Sequence, residues 1–349
     1  MAYTTINKST DYFNTVLYTG NGASTHQITG VGFQPDWNWH KIRNDTDWHM
    51  VNDAVRGANY AIYPNANNAE GNVPTGLKSF DSDGFTVGSL NDSNQNNGTF
   101  VSWNWKANGA GSANTDGSIS STVSVNTTSG FSIVKYVGTG SGSNSTVGHG
   151  LGVTPSIIIV KSLDSVTDWV VWNKDLPSQT NNYLRLNTNQ AIGTTTNYWN
   201  SSAPTNQVFG VSPDGYNNNK SGEDTIAYCF AEKQGYSKFG SYVGNGNADG
   251  TFVYTGFKPA FVIAKTYTTT DDWRMVTQNV NTRNVTSNEI DKTLMAHTNA
   301  AESGTGVDFV SNGMKIRNTS GGINGSGRGF IYMAFAEQPL VGDNPATAR

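Results

Sequence analysis

The chain has 349 residues, enough for two or three domains of ordinary size, so a sizeable core can form without disulfides or metal. Lys plus Arg number 22 and Asp plus Glu 26, which makes only 14% of the chain charged; a basic face for nucleic acid is excluded and the surface must rely on neutral hydrogen-bonding groups. Nine Trp, fifteen Tyr and fifteen Phe exclude disorder, because they supply large areas for burial.

Residues 1–14 read as an amino-terminal arm. Met1 to Lys8 shows no basic stretch followed by an apolar one, so it does not read as a secretory signal. The longest apolar runs are about six residues against the ~20 needed to cross a bilayer as a helix, and no membrane insertion is expected. Synthesis in a cytoplasm, with any release by lysis or a dedicated route, follows as an expectation.

From residue 15 onward the sequence repeats itself three times, a signal to be read before any other. Tyr18-Thr19-Gly20-Asn21-Gly22 recurs as Tyr136-Val137-Gly138-Thr139-Gly140 and as Tyr242-Val243-Gly244-Asn245-Gly246. Next come Pro35, Pro155 and Pro259, each opening an apolar strand that ends in Lys41, Lys161 and Lys265. A tryptophan follows as Trp48, Trp169 and Trp273, then an aromatic with a turn dipeptide: Phe80 with Asp83-Gly84, Phe209 with Asp214-Gly215, Phe309 with Asn312-Gly313. Aromatic-rich strands close the copies at Phe100 to Trp105, Ile226 to Glu232 and Ile331 to Glu337.

The copies span 15–107, 130–236 and 237–339. Between the first two, 108–129 is rich in Gly, Ser and Thr and reads as a linker or a weak edge strand; 340–349 reads as an extended tail. Within each copy the apolar runs are short, rich in Val, Ile, Phe and Tyr, and bounded by Gly, Asn, Asp and Pro, which is the pattern of strands. About seven per copy suit a β-sandwich, so the expected fold is all-β, with three tandem related β-sandwich domains. Six Asn-Gly pairs are expected at hairpin tips.

Catalytic signatures are missing. The five histidines, His26, His40, His49, His149 and His297, have no short metal spacing, and no nucleophile elbow or P-loop occurs. Asp92 to Gly98 resembles the start of a calcium loop, but its glycine is one place late and Trp103 stands where a bidentate glutamate is needed, so an Asn-rich turn is expected. Cys229 lies in an apolar run and reads as a small buried hydrophobe. No catalytic residue, metal or cofactor is expected, although an aspartate pair in a groove would leave glycoside hydrolysis open as a minor reading.

Repetition also separates fold residues from recognition residues. Trp48, Trp169 and Trp273 recur and are expected in the core, as are Trp37 and Trp39, whose counterparts Ile157, Ile159, Phe261 and Ile263 are plain hydrophobics. The candidate ligand residues are Tyr198, Trp199 and Asn200, in a loop of the second copy without a counterpart elsewhere, where an aromatic can stack on a sugar ring and amides can bind its hydroxyls. The alternative is that Trp199 packs inside its own copy.

On these motifs, with Gly30 to Asp36, Phe80 to Phe85, Gly130 to Val134, Val147 to Gly152 and Met333 to Glu337, the chain resembles a family of repeated domains in tailed-phage structural proteins, especially of marine and cyanobacterial phages. The resemblance implies a lectin-like jelly-roll sandwich on the virion surface, in a tail fibre, a receptor-binding protein or a head decoration protein. It implies no catalytic residues. The partners expected are other virion chains, further copies of the chain, trimeric in the first instance, and a host-surface glycan.

Overall fold

The computed structural model describes residues 4–140, 145–212, 218–278 and 289–339. Its extended segments pair antiparallel, and the helical pieces are single turns at Ser9–Asp11, Asn91–Asn94 and Gly321–Asn324. The architecture is all-β sandwich, as the short β-branched and aromatic runs between turn residues require.

One four-stranded antiparallel sheet is built three times with the same strand order. In the first copy the order is Phe13–Thr19, Thr99–Trp105, Trp37–Ile42, Met50–Asp53. In the second it is Phe131–Val137, Asp224–Phe230, Ile157–Ser162, Val170–Asn173, and in the third Ser237–Val243, Gly329–Pro339, Phe257–Thr266, Trp273–Thr277. The registers agree as well: Trp37 faces Trp105, Ile157 faces Phe230 and Phe261 faces Phe335.

Period-two alternation gives each sheet an inner and an outer face. The inner faces do not form three separate cores. Trp37, Trp39, Trp103 and Trp105, with Ile157, Ile159, Tyr228 and Phe230, and with Phe261, Ile263, Met333 and Phe335, belong to one buried cluster. Trp37 lies 4.7 Å from Tyr228, Trp105 lies 5.5 Å from Phe335, and Phe230 lies 6.0 Å from Phe335, so each copy touches both others. At the centre the equivalent side chains Trp37, Ile157 and Phe261, with Trp39, Ile159 and Ile263, surround an apolar cavity of about 20 Å³. The three tandem copies therefore share one central core. The reason is that the strands carry large apolar side chains on the inward face in addition to those of the outer cores, built around Phe33 and Phe85, Val147 and Phe209, and Val307 and Met314.

Of the two readings of segment 108–129, linker or edge strand, the structure has the edge strand. Ser112–Asn114 and Ser121–Asn126 are strands, and the second lies along Phe131–Val137. Val123 is buried in the outer core of the second copy, which a purely compositional view of the Ser and Thr around it misses. The arm is part of the body too, since Ile6 enters the central cluster and Tyr12 meets Tyr236 edge-on at 6.1 Å. The tail, 340–349, and the Asp214-Gly215 turn lie outside the described residues. Among the Asn-Gly pairs, Asn312-Gly313 turns a hairpin, whereas Asn21-Gly22, Asn245-Gly246, Asn97-Gly98 and Asn324-Gly325 sit in longer loops.

Candidate functional site

The recurring polar residues hold the three copies together. Backbone N–H groups of Glu70, Ile192 and Glu302 donate to the carbonyls of Leu163 (2.7 Å), Tyr267 (3.0 Å) and Arg43 (2.8 Å), so the first copy bonds to the second, the second to the third and the third to the first. Ring N–H groups repeat the circuit. Trp169 Nε1 donates to Tyr63 O at 3.0 Å and Trp273 Nε1 donates to Arg185 O at 2.8 Å.

In the third position of this circuit stands His49 and not Trp48, a correction to the expected tryptophan triplet. His49 Nδ1 accepts from Trp39 Nε1 at 2.9 Å, which leaves Nε2 to donate to Met295 O at 3.1 Å. Burial holds the pKa of His49 well below the ordinary histidine value, so the ring is neutral, as this donor and acceptor pattern demands.

The repeated lysines are buried as well. Lys41, Lys161 and Lys265 donate from Nζ to the carbonyls of Ile42 (2.6 Å), Ser162 (2.7 Å) and Thr266 (2.6 Å), and burial lowers each to about 8. Glu232 and Glu337 are engaged by Lys238 at 2.6 Å and Lys258 at 2.9 Å, as contacts at the ends of the closing strands.

A further triplet was not visible in the repeat alignment. Asn94, Asn219 and Asn324 are buried, and their Oδ1 atoms accept from the backbone N–H of Asn21 (2.9 Å), Thr139 (2.9 Å) and Asn245 (3.1 Å). This explains the Gly-x-Gly motif. A Cβ on Gly20, Gly138 or Gly244 would come within 2.2 to 2.4 Å of a backbone oxygen of the loop that carries the asparagine. The shared signal was an Asn three to four residues ahead of a Gly at the start of each closing strand. Asp92 to Gly98 is thus a pinned turn, and among the described residues no group of three His, Cys, Asp or Glu could hold a metal.

Trp199 is fully buried and its Nε1 donates to Asn182 O at 3.0 Å. It cannot offer a face to a sugar, which corrects its assignment to a ligand site. Tyr198 is half-buried against Tyr183, at 4.6 Å, and Asn200 takes a left-handed backbone conformation with φ 52°. Their loop has no counterpart because it closes the outer core of the second copy. Cys229 is buried in that core, and burial pushes its thiol pKa up.

The displaced Trp48 marks a different place. Its counterparts in register are Asp168 and Asp272, which pair with Arg185 at 2.7 Å and with Arg274 at 3.5 Å. In the first copy the half-buried Trp48 ring meets Tyr63 edge-on, with centroids 4.8 Å apart. Beside it Asp92 Oδ1 accepts from Trp48 N at 3.3 Å, and the Asp92 carboxyl also hydrogen-bonds Asp47. Burial first, then the hydrogen bond and charge of Asp47, raise Asp92 to about 7. Asp271, the counterpart of Asp47, is held by Arg328 at 2.7 Å. Gly98 takes the place of that arginine in the first copy, its carbonyl accepting from Gly20 N as the Arg328 carbonyl accepts from Gly244 N. Carboxyls in hydrogen-bond contact are closer than the roughly 5 Å or more that separates the two carboxyls of a glycosidase.

A family described as a domain of unknown function, DUF7483, matches residues 8–339, and the chain belongs to it. No curated protein matches the chain.

Proposed function

We propose that this chain is a non-enzymatic virion surface protein of a tailed phage, exposed on the particle as a tail fibre or receptor-binding component that contacts host-surface glycan. The observation that supports this most is the cyclic set of hydrogen bonds between the copies. It ties recurring residues into a rigid body and leaves the loops, which differ from copy to copy, for recognition. A weakly charged surface rich in amides and hydroxyls suits binding of sugar hydroxyls. The resemblance to phage structural proteins supplies the setting, with other virion chains as attachment partners and association of further copies, as a trimer, part of the proposal.

A second reading, capsid decoration, is favoured by one feature: three sheets of the same strand order meeting at one cavity suit a threefold position on a head. Immunogold labelling of intact particles separates the two. Label at the tail supports receptor contact, label over the head supports decoration, and label confined to debris overturns the virion assignment.

A further inference from the structure

We propose that Trp48, Tyr63, Asp47 and Asp92 of the first copy form a binding site for a neutral pyranose residue of a glycan. The proposal rests on the glycan-contact reading above and places that contact. Eight of the nine tryptophans are buried, and Trp48 is the one left at the surface. The fold does not need it there, because His49 fills the position that Trp169 and Trp273 fill elsewhere, and the other copies place an aspartate paired with arginine at Trp48's own position.

The chemistry at this place suits a sugar. Two aromatic rings at an interplanar angle of 85° give adjoining apolar walls, on which the C–H face of a pyranose can stack. The Asp47 and Asp92 carboxyls, joined by one hydrogen bond, retain acceptor positions for neighbouring hydroxyls. The cation facing them is Lys41, whose Nζ donates to Asp45 O at 3.0 Å, and with Asp45, whose carboxylate holds the Gln95 amide at 3.0 Å, three carboxyls stand against this one ammonium. An anionic sugar is therefore disfavoured and a neutral one is selected.

The site is also held in shape. Trp48 adjoins His49, fixed by its bond to Met295 O, and Asp92 lies two residues before Asn94, fixed by its bonds to Asn21, Ala23 and Gly88. Recognition groups placed on rigid supports lose little conformational freedom on binding.

The test uses the full chain against immobilised neutral oligosaccharides of glucose, galactose, mannose and N-acetylglucosamine, with sialylated and uronic-acid oligosaccharides alongside. The expected result is binding of at least one neutral oligosaccharide, a loss of ten-fold or more in Trp48→Ala, near-retention in Trp48→Phe, and an unchanged thermal midpoint in both. Neutral-sugar binding undiminished in Trp48→Ala overturns this site and leaves the glycan reading standing. Binding of acidic sugars alone overturns the ligand class. Absence of binding to every sugar by the unsubstituted chain overturns both the site and the glycan reading.

Discussion

His49 and Trp48 show how one residue of offset changes a role. Both Trp169 and Trp273 use an indole N–H to reach a carbonyl of the preceding copy, and His49 does the same with Nε2. The tryptophan at 48 masked this, because a sequence repeat is aligned by the most conspicuous side chain, whereas the fold is aligned by strand register. Trp37 and Trp39, by contrast, were legible as core from their alternation and from the hydrophobics that replace them.

The buried histidines give the molecule an acid-labile component. Burial lowers His40 to about 3 and holds His49 well below its usual value, so the folded state refuses protons that the unfolded chain accepts below about pH 6.5. Stability from these groups is present above that pH and is lost as pH falls toward 3. Each pH unit in this window costs at most about 1.4 kcal/mol per histidine. Urea unfolding at pH 7.5, 6.0 and 5.0 should show declining midpoints, with a shallower decline in His40→Gln; an identical decline in the variant would mean that His40 is not the group responsible.

At the scale of elements, the strands were readable wherever β-branched and aromatic residues alternate between turn signals. The pairings that involve weak sequence were not. Ser121–Asn126 looks like spacer by composition, yet it pairs residue by residue with Phe131–Val137 and buries Val123. Replacing Val123 with Asp should therefore cost about 2 to 4 kcal/mol, from a lost apolar contact and an unpaired buried carboxylate. Chemical denaturation would detect this easily. An unchanged midpoint would return the segment to the role of a tether. The Asn-Gly pairs taught a related lesson. Such pairs supply positive φ, but whether the turn becomes a hairpin tip or a pinned loop depends on a distant partner such as Asn94 or Asn324, which local sequence does not name.

For the whole molecule, the all-β class was legible in the sequence, and the closure of the ring was not. Closure depends on which faces of three sheets meet and on backbone bonds between loops, and neither leaves a mark on composition or spacing. It nonetheless governs the functional reading. His49, Trp169 and Trp273 are engaged between copies, and the site proposed above lies among the unrepeated residues around Trp48.

Closure is tested most directly where the third copy returns to the first. Arg43 Nε and Glu302 Oε2 are 2.9 Å apart although 259 residues separate them, and Glu302 N donates to Arg43 O at 2.8 Å. With Arg43→Cys and Glu302→Cys introduced, Cys229 staying buried, a short bifunctional maleimide should join the two thiols within one chain. The account predicts a cross-linked monomer that migrates anomalously on a denaturing gel, at all protein concentrations. A linear arrangement of three domains predicts an unlinked monomer or a concentration-dependent dimer, and either result would contradict the closed ring.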